Sequence, residues 1–239
     1  MIDFHEFDDA AAQAEALARA VAAALQDALR EREAKVDAGD AGDVATARVT
    51  LAVSGGKSPV TFFEHLSRMP LDWSRVDVTL VDDRWLPETH ADSNARMVRE
   101  TLLKNAAAAA HFVPLVDASR DPADVVAALN QASAPALPDV AVLGMGEDGH
   151  TASIFADAPE WEHATTTRER LVIVHPGSAP HARISWSLQA LQHINTLFLQ
   201  IGGEKKRAVL DAAAAVPQRN AISRLAVDGG VTIDVYWYA

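Results

Sequence analysis

Short apolar runs alternate with helically spaced segments from Ala47 to the end of the chain. ARVTLAV (Ala47 to Val53) is β-branched and apolar, stops at Gly55-Gly56 and leads into PVTFFEHL, which has a helical pattern. VDVTLVD (Val76 to Asp82) is the next such run, followed after a loop by a predicted helix near Ser93 to Lys104. HFVPLV, DVAVLG, RLVIVH and NTLFLQI continue the rhythm, with helical stretches between most of them. Upstream, Leu17, Val21, Leu25 and Leu29 predict a long Ala-rich helix over Ala10 to Lys35, and the run from Asp37 to Asp43 reads as a polar Gly-rich connector. This alternation predicts the α/β class: a mainly parallel sheet with helices on both faces, a three-layer α/β/α sandwich. The tail ISRLAVDGGVTIDVYWYA breaks the rhythm. It predicts a hairpin turning at Asp228-Gly229-Gly230 that adds a strand or two at an edge. With no internal repeat and no later linker, residues 1–239 read as a single domain.

Composition narrows the chemistry. The absence of cysteine excludes a disulfide framework, a Cys-ligated metal and a thiol nucleophile. Lys and Arg number 21 against 33 Asp and Glu, a formal net charge of -12. So acidic a chain is a poor non-specific binder of nucleic acid or anionic membrane, and an anionic ligand requires positive charge gathered locally. No stretch reaches the roughly 18 apolar residues of a membrane span. The acidic start MIDFHEFDD lacks the basic region of a secretory signal, so a cytoplasmic protein is expected.

Ligands of open α/β sheets gather beyond the carboxyl ends of the strands, and the segments there are unusual. Ser54-Gly55-Gly56-Lys57-Ser58-Pro59 puts bare backbone N–H groups before a helix, a geometry that suits phosphate; a tight turn that needs glycine for conformation alone fits equally. A Walker A loop is excluded, because Leu51 stands where its first glycine belongs. Asp82-Asp83-Arg84 follows, with Ser93-Asn94 at the next helix start. Arg84 suits an oxyanion through its planar fork, or a surface ion pair; Ser93 or Asn94 suits a helix cap.

The most informative segment is Gly144-Met145-Gly146-Glu147-Asp148-Gly149-His150-Thr151-Ala152-Ser153. It satisfies G-x-G-x-x-G, but the next strand, LVIVHPG, ends in His175 and Pro176 rather than in the acid a dinucleotide ribose requires. A His two residues after an Asp on a Gly-rich turn reads better as a general base in an open mouth, since imidazole accepts protons near neutrality. Arg183, in Pro180-His181-Ala182-Arg183-Ile184-Ser185, opens a helical stretch ending near Ile194, and Lys206 follows Gly202-Gly203. With Arg84 these cations supply the local anion site that the net charge demands. There is no H-E-x-x-H, no His pair at metal-ligand spacing and no G-x-S-x-G elbow. The tryptophans and phenylalanines read as core.

Taken together, SGGKSP, DDRWLP with SN, GMGEDGHTASIF, PHARIS and GGEKKRAVL resemble the 6-phosphogluconolactonase family in order and spacing, from about Val49 to Pro217. The resemblance implies a Rossmann-like fold and hydrolysis of 6-phospho-D-glucono-1,5-lactone to 6-phospho-D-gluconate, the second step of the oxidative pentose phosphate pathway, with no metal or organic cofactor. By motif position it implies His150 as general base with Asp148 beside it. Arg84, Arg183 and Lys206 are then the cations at the substrate, and Ser54, Gly55, Gly56, Asp82, Asn94 and Gly146 line the substrate site. Asp83 replaces the usual Glu, and Ala156 a common Pro. The expected partner is one phosphorylated sugar lactone, with no nucleic acid or membrane, and a monomer is favoured. The sugar-phosphate deaminases and isomerases share the fold, but those resembling glucosamine-6-phosphate deaminases carry a Glu five residues after the His, where this chain has Phe155. A non-catalytic sugar-phosphate-binding regulator is the third reading; such modules are usually fused to a DNA-binding domain, and the first 46 residues offer one long helix and no helix-turn-helix.

Overall fold

Every residue of β2 (Val49–Val53) and of β6 (Val140–Leu143) is buried, the signature of strands covered on both faces. They are neighbours at the centre of a seven-stranded parallel sheet. The computed structural model describes residues 1–37, 47–228 and 231–239. From β2 the sheet runs outward through β3 (Val76–Leu80) to the two-residue β5 (His111–Phe112). On the other side, β6 is followed by β9 (Thr196–Gly202), β10 (Ile233–Tyr238) and β1 (Ile2–Phe7). The chain builds one wing through β2, β3 and β5, then returns to β6 and builds the other, so the strand order reverses between β2 and β6. Loops leaving two such strands diverge and open a crevice at their carboxyl ends.

Helix α1 (Ala10–Asp37) matches its expected span, and its stripe Leu17, Val21 and Leu25 is fully buried, each side chain contributing about 1.5–3 kcal/mol by leaving water. Asp139 locks this layer to the sheet: it accepts from Arg32 of α1 at 2.7 Å and from the Thr50 amide of β2 at 2.8 Å. Helix α2 (Val60–Leu66) follows β2 and packs on α1. Helix α3 (Asn94–Thr101) lies within the expected Ser93–Lys104 span, capped by the Ser93 hydroxyl. Helices α4 (Pro122–Gln131) and α5 (Trp161–Thr166) fill the stretches on either side of β6. The connector expected from Asp37 to Asp43 lies, after Asp37, outside the described residues.

Three expectations are corrected. The first is the C-terminal hairpin. Although Gly229-Gly230 lies outside the described residues, its two arms are helix α8 (Ala221–Asp228) and strand β10, which runs parallel to both neighbours. Ile222 and Leu225 are buried at helical spacing and Asn220 caps the helix by accepting from the Ser223 amide, so local patterning favours a helix where the Asp-Gly-Gly signal suggested a turn. Nor is β10 an edge strand: β1 covers it, the alternating Ile2-Asp3-Phe4 pattern making a strand of the acidic N-terminus. Second, Arg183 opens a strand, not a helix. β8 (Arg183–Trp186) lies between β4 (Asp82–Arg84) and β7 (Leu171–Val174) in a separate antiparallel sheet, and α6 (Leu188–Gln192) begins only after Ser187 caps it. Third, RLVIVH therefore belongs to this smaller sheet and not to the parallel one. α7 (Glu204–Ala215) follows β9 and packs on it.

Candidate active site

The turns after β2 and β6 are stitched together at the reversal point. The Ser54 amide donates to Val142 O at 3.0 Å, and the Gly144 amide donates to the Ser54 hydroxyl at 3.0 Å. Beyond them opens a cleft of about 270 Å³. Ser54, Gly55, Asp82, Arg84, Asn94, Gly146, His150, Arg183 and Lys206 all border it, gathered from six separate stretches of chain. Gly56 and Asp148 do not form its wall. Lys206 rather than Lys205 takes part: Lys205 is exposed and 4.0 Å from Glu147.

His150 is fixed by a local device. Its Nδ1 lies 2.6 Å from Asp148 Oδ1, which also accepts the His150 amide at 3.2 Å. With the carboxylate ionised, Nδ1 carries the proton and Nε2 is left with its lone pair. A Cβ on Gly146 would stand 2.3 Å from the imidazole and 2.4 Å from Asp148, so this turn closes only over glycine. The ring is 29% exposed, neither buried nor free. Its face stacks on Phe155, centroids 4.0 Å apart at 23°, and the Arg183 guanidinium lies 5.2 Å from the same phenyl centroid. Phe155 is buried as expected of a core residue, and both polar groups approach its ring. Asp148 makes the contact that orients His150, while Asp82 accepts from the Ser153 hydroxyl at 2.5 Å and stands 3.8 Å from Arg183.

The cations are held but not satisfied. Arg84 donates to Asp92 O at 2.6 Å and to Asn94 Oδ1 at 3.1 Å, yet its Nε is buried without a partner. The Arg183 side chain is 9% exposed, donates weakly to Ser153 Oγ at 3.4 Å, and its Nε is likewise orphaned. Burial holds the Arg183 pKa below its ordinary value, and Arg84 nearby pushes the same way against Asp82. Three cations bordering one cleft, in a chain of net charge -12, form a local anion site.

Asn94 connects the parts: its Nδ2 donates to Asp82 O at 2.9 Å while Oδ1 accepts from Arg84. It also explains Gly55, whose Cβ would fall 1.9 Å from Asn94 Oδ1; close packing, rather than backbone conformation, demands that glycine. Asp83 caps α3, accepting from the amides of Arg84, Asn94 and Ala95. Burial pushes its carboxyl up to about 6 despite those three donors. Among the described residues, the one His/Asp/Glu cluster with metal-ligand spacing is Asp3, His5 and Asp234, on β1 and β10 rather than in the cleft. Ser58, within the Gly-rich segment after β2, also borders the cleft, as do Gln200 and Phe63, which sequence reasoning did not assign to a site. Gln200 carried a readable signal, a polar residue inside an otherwise apolar strand.

Fold and cleft together define an α/β protein that presents an anion site beside a tautomer-locked histidine at a strand-order reversal. The model of the glucosamine-6-phosphate isomerase/6-phosphogluconolactonase family matches residues 8–233. A 6-phosphogluconolactonase of Neisseria meningitidis is 45% identical over 222 residues, covering 90% of this chain and 89% of that protein. One of Pseudomonas aeruginosa is 42% identical, covering 96% and 92%. A crystal structure of a 6-phosphogluconolactonase from Shewanella baltica superposes with a TM-score of 0.82 at 36% identity, covering 100% of this chain and 98% of that one. The chain belongs to this family of isomerases and lactonases.

Proposed function

We propose that the chain is a 6-phosphogluconolactonase, hydrolysing 6-phospho-D-glucono-1,5-lactone to 6-phospho-D-gluconate in the oxidative pentose phosphate pathway. The observation that carries this reading is the gathering, in one cleft, of Arg84, Arg183 and Lys206 with a histidine whose Nδ1 is tied to Asp148. Arg84, Arg183 and Lys206 hold the anionic phosphate. The binding energy of that remote group orients the lactone carbonyl, C1, near His150. Neutral His150 takes a proton at Nε2 from a water molecule as that water attacks C1, and the imidazolium then returns the proton to the departing ring oxygen. Asp148 holds the tautomer and stabilises the transient imidazolium. A δ-lactone is an activated ester, so a general base and good positioning suffice.

The deaminase alternative needs a second relay carboxylate at position 155. Phe155 there covers one face of the imidazole and carries no proton. The reading takes residues 1–239 as one lactonase domain, with a monomer favoured. No helix among the described residues is long and apolar enough to cross a membrane. The test is lactone loss followed by NMR against spontaneous hydrolysis, with ammonia release from glucosamine 6-phosphate followed in parallel. Acceleration of the first without the second is expected; the reverse result would assign the chain to the deaminases.

A further inference from the structure

Gln200 lies on β9 opposite Tyr236 of β10; it is buried, with 8% of its surface exposed, and borders the cleft. Behind it is Gln13, buried near the start of α1. Gln13 Nε2 donates to Ile201 O at 2.6 Å and to Tyr236 O at 2.7 Å, which uses both amide hydrogens. A flipped Gln13 would press its oxygen against two carbonyl oxygens, so its orientation is dictated by the β9 and β10 backbones. Gln13 Oε1 is therefore an acceptor, and Gln200 Nε2 donates to it at 3.0 Å. The same reasoning fixes Gln200: reversing it would set oxygen against oxygen. Its Oε1 accepts no hydrogen bond from the described residues and is not sealed from solvent.

We propose that Gln200 recognises a hydroxyl of the sugar acid, Oε1 accepting its O–H, and that Gln13 is the residue that positions it. The chemistry selects that partner. A phosphate near neutrality offers mostly bare oxygens, which a fixed carbonyl oxygen repels, whereas a polyol chain offers O–H groups. The cleft is then divided between guanidinium and ammonium donors for the phosphate and an amide acceptor for the carbon chain. This rests on the reading of the cleft as a site for a phosphorylated sugar lactone.

Calorimetric titration of wild type and Gln200→Leu with 6-phosphogluconate and with inorganic phosphate tests it. The variant should bind 6-phosphogluconate about tenfold more weakly and bind phosphate as wild type does. Equal weakening for both ligands would mean that the remaining Nε2 hydrogen serves the phosphate, and unchanged affinity for both would mean no contact; either overturns the proposal. Should the variant not fold, monodeoxy 6-phosphogluconates titrated into wild type give the same answer. One of them should lose about tenfold, and uniform affinity across the series overturns it. Gln13→Leu should shift the ratio of the two affinities in the wild-type background but not in Gln200→Leu. A merely structural role would lower thermal stability in both and leave the ratio alone. Failure of wild type to bind 6-phosphogluconate would sink the reading of the cleft itself, while tight binding indifferent to Gln200 would sink only this inference.

Discussion

A phenyl ring with a guanidinium near it and an imidazole stacked on it constrains both. Stacking of this kind contributes about 0.5–1.5 kcal/mol beyond area burial, and it fixes the plane of His150 while Asp148 fixes its tautomer. Two restraints on one ring leave Nε2 as its single reactive atom. Replacing His150 by Ala should therefore lower kcat by about 10²–10⁴-fold with little change in KM. Steady-state kinetics check this, and a variant with wild-type turnover would remove the base from the mechanism. His150, Asp148, Arg84 and Lys206 were legible because each follows a strand end, where open α/β sheets place ligands. The roles of Phe155 and Gln200 were not, because they are relational, although Gln200 stands out as a polar residue in an apolar run. Nothing in an apolar residue five positions after a histidine announces that the two rings stack, and the acceptor role of Gln200 depends on Gln13, far away along the chain.

At the scale of elements, Asp83 is the hinge between the small sheet and α3. Its carboxylate takes three amide N–H groups, two of them at the start of the helix that carries Asn94 into the cleft. Burial nonetheless raises its pKa from 3.8 to about 6. The folded protein thus keeps this proton over a range in which the unfolded chain has released it. Stability from this group is greatest below about pH 4 and declines as pH rises to about 6, by about 3 kcal/mol in all. Asp83→Asn abolishes that titration, so urea denaturation from pH 4 to 7 should show wild type losing stability relative to the variant; parallel curves would place Asp83 among ordinary carboxylates. Elements with an unbroken local signal, such as the helical stripe of α1 and the continuous apolar run of β2, were legible. The N-terminal strand, β8 and α8 were not. β1 is half-buried because it closes an edge, β8 is four residues long, and a strong turn signal after Asp228 masked the helical spacing of Ile222 and Leu225. Neither sheet membership nor the pairing of β10 between β1 and β9 is encoded locally.

Over the whole molecule, a chain of net charge -12 concentrates Arg84, Arg183 and Lys206 around one crevice, and folding is what brings them together. Burial opposes the charge of Arg183 in the ligand-free fold, and Arg84 beside it adds to that effect, so its pKa is depressed. An anion that binds only the assembled cleft must then stabilise the entire protein. At a hundredfold excess over its Kd the gain is about 2.7 kcal/mol, which in a chain of this length corresponds to a Tm rise of roughly 5–10 °C. Arg183→Met keeps an apolar contact for Phe155 but deletes the charge, so 6-phosphogluconate at the same concentration should raise its Tm by a small fraction of that amount. Equal shifts in the two proteins would mean that the anion is held without Arg183. A shift confined to wild type ties phosphate recognition to the strand-order reversal that assembled the cations.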